Sequence, residues 1–276
     1  MKITNCYFCG SEQHTFYAEE NGFHLVKCGV CGLLFIDDRP NNSEISQAAK
    51  QGIHGGLNSF DVTGGFEPAK IAIYLKILED LFNGDLGNKK SWLDVGCGHG
   101  EFMIAVQKYG SDEVIVRGTE PNVRKQESAR ERGLNVNYFE IESHEDKYDI
   151  ISMLNVYSHL PDPITFINSL KRILKPQGEL ILETGDTAGL SAKDHYRPFY
   201  LPDHLSFASE SIVLGILKRL DFDILSIRKY PYMGFNLNRI VKELIKAILP
   251  HYQSRLKYYR RIYSQTDMFI RARLRS

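Results

Sequence analysis

No stretch of the 276-residue chain approaches the roughly 18 consecutive apolar residues that a membrane-spanning helix needs, and the opening MKITNCYFCGSEQ contains no apolar signal-peptide core. These absences point to a cytoplasmic protein without a transmembrane segment. An excess of charge is also missing: Lys and Arg total 34, Asp and Glu total 34, and the formal net charge is zero. A balanced chain has no general attraction for polyanions, which disfavours a nucleic-acid partner and leaves only a local basic patch open. Cysteine is scarce, and the spacing of the five residues suggests metal ligation in a reducing compartment rather than a disulfide framework. Nothing in a composition of 43% hydrophobic and 25% charged residues reads as disordered; the length allows one sizeable α/β core and a small appendage.

Four of the cysteines fall in two C-x-x-C knuckles, Cys6-Tyr-Phe-Cys9 and Cys28-Gly-Val-Cys31, separated by 18 residues. That spacing is expected of a four-thiolate Zn2+ site. Gly10 and Gly32 follow the knuckles and let the backbone turn tightly enough to aim N–H groups at sulfur. Residues 15–18 and 23–27 read as short strands and 33–36 as a third, giving a zinc ribbon over residues 1–36. So short a segment cannot fold on buried apolar area alone, and the metal would supply on the order of 10 kcal/mol. Four thiolates leave no open coordination position, so the expected role is structural. His14 and His24 are read as surface side chains. Redox chemistry is disfavoured because neither knuckle opens a helix after a strand.

Residues 37–66, with Asp37-Asp-Arg-Pro-Asn-Asn and five glycines at 52, 55, 56, 64 and 65, read as a linker with a short helix over 43–50. Pro68 then suits the first turn of a helix running to Phe82. Ser91 to Val95 is a short apolar strand that enters Gly96-Cys-Gly98-His-Gly100, and helical character follows from Glu101 to Tyr109. Glycines at alternate positions remove Cβ atoms where a ligand approaches the backbone, and the helix start presents free N–H groups. A dinucleotide fingerprint would need glycine at 101, where this chain has Glu101.

Asp94-x-Gly96-x-Gly98-x-Gly100 instead resembles motif I of the class I S-adenosylmethionine-dependent methyltransferases, and residues 67 to about 230 match that family in order and spacing. The resemblance implies a doubly wound, seven-stranded α/β sheet over 67–276, with the cofactor at the strand C-terminal ends. It assigns Asp94, Gly96, Gly98 and Gly100 to the methionine part of S-adenosyl-L-methionine. Glu120, ending a second strand from Val114 to Thr119, is expected on the ribose hydroxyls, with Pro121 after it. Glu140 and Ile141, after a third strand over 136–139, face the adenine, and Asn155 follows a fourth strand over 148–153. Cys97 is read as a small filler of the turn.

The run Pro202-Asp203-His204-Leu205-Ser206-Phe207 resembles a segment of ribbon-bearing, sugar-modifying methyltransferases, in which an acid-histidine pair serves the acceptor. Asp203 and His204 therefore inherit an expected base role, and imidazole chemistry is compatible with it. Tyr157 and His159 are expected near the methyl by the same resemblance. A helical insertion over 231–266 between the sixth and seventh strands could act as a lid, a dimer contact, a surface for a phosphate-bearing acceptor or a plain cover for the sheet end. The expected acceptor is a small molecule, foremost a nucleotide-linked sugar for polysaccharide or secondary metabolism, with C-, O- and N-methylation all open. An RNA methyltransferase using a patch of Lys257, Arg260, Arg261, Arg271, Arg273 and Arg275 is one alternative, and a non-catalytic cofactor-binding protein is another.

Overall fold

The computed structural model describes residues 1–110, 113–231, 245 and 265–275. Near the N-terminus, β1 (His14–Glu20), β2 (Phe23–Cys28) and β3 (Leu34–Ile36) pair antiparallel in sequence order. A fourth strand, β11 (Ser206–Phe207), joins this ribbon from far along the chain, with Ser206 opposite Phe35 and Phe207 opposite Leu34. Cys6, Val26, Leu33 and Phe35 of the ribbon are buried in one cluster with Tyr157, Ala208 and Ile212 of the main domain. Each large apolar side chain so buried contributes roughly 1.5–3 kcal/mol. The ribbon therefore leans on the core as well as on any metal.

The stretch expected as a linker is built structure. Helix α1 (Asn42–Gln51) starts with a capping box, in which the Asn41 side chain accepts from Glu44 N at 3.0 Å and Glu44 Oε2 accepts from Asn41 N at 2.7 Å. It ends at Gly52 with φ +70°, where a Cβ would stand 2.1 Å from Asn122 Nδ2. A small hairpin of β4 (Ile53–His54) and β5 (Phe60–Asp61) follows. Its glycines are used for tight turns and close packing.

The main sheet contains β6 (Ser91–Val95), β7 (Ile115–Thr119), β8 (Val136–Asn137), β9 (Tyr148–Leu154), β10 (Leu174–Gly185), β12 (Phe222–Tyr230) and β13 (Asp267–Leu274). Their order is β12-β13-β10-β9-β6-β7-β8, with β13 alone antiparallel to its neighbours. This is the seven-stranded fold expected. Alternate residues of the central strands face opposite layers. Leu93, Ile151 and Leu182 enter one cluster with α5 (Pro163–Arg172) and α6 (Glu210–Arg219), whereas Trp92, Ile150 and Ile181 enter another with α2 (Ala69–Phe82), α3 (Glu101–Gly110) and Ala129 of α4 (Val123–Arg130).

Two further expectations change in the structure. The third strand is only two residues long, because the chain leaves the sheet edge after Asn137 for a short 3₁₀ turn at Ile141–Ser143. Arg271 and Arg273, expected in a nucleic-acid patch, bond to the fully buried Glu179 at 2.7 and 2.9 Å, and Arg275 bonds to Asp223 at 2.7 Å. These arginines hold the sheet edge together, which removes half of that patch. The helical insertion and its residues Lys257, Arg260 and Arg261 lie outside the described residues.

Candidate active site

The loop after β6 is left-handed at all three glycines, with φ of +68° at Gly96, +57° at Gly98 and +93° at Gly100. Two of them are spoken for by the protein itself: a Cβ would meet Val156 Cγ2 at 2.5 Å from Gly96 and Leu134 Cδ1 at 2.1 Å from Gly100. Gly98 has nothing within 4 Å. Its backbone is bare toward open space, which is the approach a ligand needs.

Carboxylates surround this opening. Asp94 is 2% exposed, and its Oδ1 accepts a 2.6 Å bond from Ser152 Oγ, which in turn accepts from Trp92 Nε1 at 2.9 Å. Burial, then the charges of Glu120 and Glu101, push the Asp94 acid up to about 7 against the pull of Ser152. Glu120 uses one oxygen on Gly98 N and the other on Asn122 N, both at 2.9 Å, so it fixes the loop and the start of α4 together. Glu101 accepts from Glu67 N at 2.7 Å. Glu183, at the C-terminal end of β10, is pushed up to about 8 by burial and then by the charge of Asp267, against the Asn155 N–H. Among the described residues no lysine or arginine pairs with Asp94, Glu101, Glu120 or Glu183. An acid-rich cleft with a bare glycine backbone fits a ligand carrying a sulfonium and an ammonium group, as S-adenosylmethionine does.

The other expected cofactor residues lie along the same strand ends. Pro121 joins Glu120 to α4. Asn155 has φ +56°, and its N–H reaches Glu183 O at 3.2 Å, tying β9 to β10. Glu140 accepts from Tyr138 Oη at 2.5 Å, and the buried Ile141 gives its carbonyl to Arg172 Nη2 at 2.7 Å. Cys97 is 7% exposed, and burial raises its thiol well above the usual range, as a turn filler requires.

Asp203, His159 and His204 lie close together, and the pairing differs from the Asp203–His204 pair expected. Asp203 Oδ1 lies 3.0 Å from His159 Nδ1, while His204 Nδ1 bonds the Phe199 carbonyl at 2.8 Å. Asp203 thus backs His159 rather than its sequence neighbour. Burial opposes the charge on His159, yet Asp203 raises its pKa above the ordinary value. His204 moves the other way, down to about 4, through burial and then the charge on His159. Asp203 stays ionised: burial works against it, and His159 overcomes the penalty. The donor atoms of these three side chains lie within 4.8 Å of one another, an arrangement that metal ions also use. His159 Nδ1, however, also sits 3.0 Å from the Asp203 backbone carbonyl, so it carries a proton and is not a ligand atom. Tyr157, expected near the methyl, is fully buried and its hydroxyl bonds Tyr7 of the ribbon at 3.0 Å instead.

The thiols form a separate cluster. Cys6 and Cys31 Sγ are 3.5 Å apart, Cys9 and Cys28 Sγ are 3.5 Å apart, and all four lie within 4.8 Å of one another. A tetrahedral zinc site with Zn–S near 2.3 Å has edges of about 3.8 Å. Cys6 accepts N–H bonds from Phe8 and Cys9, and Cys28 from Val30 and Cys31. This donor set fits Zn2+.

Sequence reasoning missed His54, Glu183, Ser152 and His99. His99 bonds Ser128 Oγ at 2.8 Å and the Thr63 carbonyl at 2.9 Å, pinning the 37–66 segment over the glycine loop. Glu183 had a usable signal, since an acid closing a predicted core strand is placed at the ligand side; His54 had none.

Comparison with known proteins agrees with the architecture. The family described as methyltransferase domain matches residues 69–227. A ubiquinone biosynthesis O-methyltransferase of Actinobacillus pleuropneumoniae serotype 7 (strain AP76) is 34% identical over 138 residues, 45% of this chain and 58% of that protein. The chain thus spans a little over half the length of the curated relatives it matches. Among solved structures, the 4+2-cyclase SpnF has a TM-score of 0.55 at 18% identity, over 84% of this chain and 91% of that one. A candidate methyltransferase of Bacillus halodurans C-125 has a TM-score of 0.51 at 17% identity, over 75% of this chain and 100% of that one. These likenesses share the fold. With a family match that takes in more than half of its residues, the chain belongs to the class I S-adenosylmethionine-dependent methyltransferases.

Proposed function

We propose that the protein moves a methyl group from S-adenosylmethionine to a hydroxyl of a small-molecule acceptor, with His159 as base and Asp203 behind it. The observation that carries this reading is the Asp203 Oδ1 to His159 Nδ1 contact of 3.0 Å beside the acidic cleft. A carboxylate on Nδ1 fixes the tautomer, presents Nε2 outward and stabilises the imidazolium that forms. The side chain of His159 is 31% exposed, so it is open to solvent, and it lies in the short turn Tyr157–His159 that follows β9.

The bound cofactor supplies an electrophilic methyl group. The chain's part is to orient and to take a proton: the acceptor O–H gives its proton to His159 Nε2 as the O–C bond forms and the C–S bond breaks. His204, kept neutral by its depressed pKa, offers Nε2 as a hydrogen-bond acceptor to the same substrate. Asp94, the glycine loop and Glu120 hold the amino-acid and ribose parts. The relatives named as ubiquinone biosynthesis O-methyltransferases support O-methylation, and the acceptor class includes nucleotide-linked sugars as well as phenols. Cys6, Cys9, Cys28 and Cys31 hold a structural Zn2+, and residues 1–36 act as a ribbon docked on a catalytic unit beginning near residue 67.

The test is a panel of phenolic and sugar-nucleotide acceptors with labelled cofactor, followed by pH profiles of variants. His159→Gln should slow turnover by about 10²-fold or more and abolish the acidic limb of kcat/KM, while His204→Gln keeps that limb. The reverse pattern would exchange the two roles.

A further inference from the structure

We infer that His54 is a positioning residue that holds the Asp203 carboxylate in place for His159, an inference that rests on the base assignment above. His54 Nε2 lies 3.1 Å from Asp203 Oδ1, the same oxygen that His159 Nδ1 reaches at 3.0 Å. Two imidazole nitrogens thus stand within 3.1 Å of one carboxylate oxygen: His159 Nδ1 in a hydrogen bond, and His54 Nε2 close enough to donate once its ring turns slightly. The side chains of His54 and Asp203 are 7% and 11% exposed, so water competes little for this contact.

The origin of His54 gives the contact its meaning. It ends β4, in the segment that leaves the ribbon and precedes the catalytic unit, and its ring stacks on Phe60 of β5 at 5.9 Å and 24°. Phe60 in turn packs on Tyr200, and Tyr200 on His204, at 6.0 and 6.1 Å. Tyr200 is a non-glycine residue held at φ +61°, a conformation that costs about 1 kcal/mol or more and persists where the surroundings over-determine it. The hairpin therefore meets the 199–204 loop twice, once at the His54–Asp203 contact and once through the aromatic rings. A carboxylate with one partner can swing about its Cα–Cβ and Cβ–Cγ bonds; with two it is held in the plane that His159 needs. Burial keeps the His54 imidazole from charging, so it acts as a neutral donor rather than as a second base.

The experiment uses the full-length protein with S-adenosylhomocysteine bound, with ¹⁵N-labelled histidine, reading ring-nitrogen shifts, together with steady-state kinetics on the acceptor found in the panel. Wild type should show His54 as the Nε2–H tautomer and His159 locked with Nδ1–H. His54→Leu should let His159 sample both tautomers and lower kcat roughly ten- to hundredfold, with S-adenosylhomocysteine affinity unchanged. His54→Gln, whose amide N–H reaches the same place, should restore both readouts. A wild-type His54 protonated only on Nδ1 would overturn the inference, as would an unaltered His159 tautomer and unaltered kcat in His54→Leu. If that variant fails to fold, a His54→Gln protein of normal melting temperature that loses the His159 tautomer overturns it as well. Because the spectra need no acceptor, absence of any methyl transfer by wild type would reject the proposed function while the clamp is still decided by the ring nitrogens.

Discussion

The hydroxyl of Tyr7, between the two cysteines of the first knuckle, lies 3.0 Å from the hydroxyl of Tyr157, two residues before His159. Tyr7 also reaches Ser206 Oγ at 3.1 Å, and Ser206 pairs with the ribbon two residues after His204. One side chain of the ribbon thus touches both segments that carry the histidines. Tyr7→Phe should cost roughly 1 kcal/mol, a melting-temperature loss of about 2–4 °C, and should lower kcat without weakening S-adenosylhomocysteine. Equal loss of cofactor affinity would mean that Tyr7 supports the whole domain rather than this turn.

Removing the proposed zinc should propagate along the same route. Ile36 N bonds Leu205 O at 3.0 Å and Leu205 N bonds Ser158 O at 2.7 Å, so the ribbon sheet runs into the catalytic loop. On chelation, hydrogen exchange should accelerate in residues 1–36 and also in 205–207, while β6 and β9 stay protected. Exchange confined to the ribbon would show that the core holds the loop unaided.

Much of this site is legible in the amino-acid order alone. The knuckle spacing gives the thiol cluster, and Asp94 with three alternate glycines gives the strand, turn and helix at the acidic cleft, because each is a local requirement of backbone geometry. Pairings between distant residues are not legible in this way. Asp203 is adjacent to His204 in sequence, yet the loop directs its carboxylate to His159, 44 positions away. His54 lies in a glycine-rich stretch whose composition suggests a linker, although the capping box at Asn41 and Glu44 is a sign of order. The arginines at 271, 273 and 275 read as a basic stripe because their acidic partners, the buried Glu179 for the first two and Asp223 for the third, lie on neighbouring strands.

Gly98 and Gly100 separate binding from folding. Gly98→Ala meets no atom within 4 Å but adds a methyl where the cofactor must approach, so the variant should fold, with a strain of about 1 kcal/mol, and lose at least tenfold in S-adenosylhomocysteine affinity. Gly100→Ala would drive Cβ to 2.1 Å from Leu134 Cδ1 and should destabilise the fold by more than about 2 kcal/mol. Chemical denaturation and calorimetry read the two effects.

Cofactor uptake should depend on pH. Asp94 is raised to about 7 and Glu183 to about 8, above the values of unfolded carboxylates, so the ligand-free fold binds protons that the unfolded chain releases. Its stability should therefore decline as pH rises from about 4, where unfolded carboxylates titrate, and level off above about 8. A cationic ligand favours the ionised acids, so S-adenosylmethionine should bind with proton release near pH 6.5 and more tightly toward pH 8, by up to about tenfold per unit for each acid. Titrations in buffers of different ionisation enthalpy measure this directly, and uptake without proton release would contradict it.

The central claim is that Asp94, Glu120 and the bare backbone at Gly98 together hold S-adenosylmethionine. Isothermal titration of the folded, zinc-loaded protein with S-adenosylhomocysteine tests it most directly. One site per chain, weakened in Asp94→Asn and Glu120→Gln proteins of unchanged fold, is the result expected. No heat of binding in wild type, or full affinity in both variants, would contradict it.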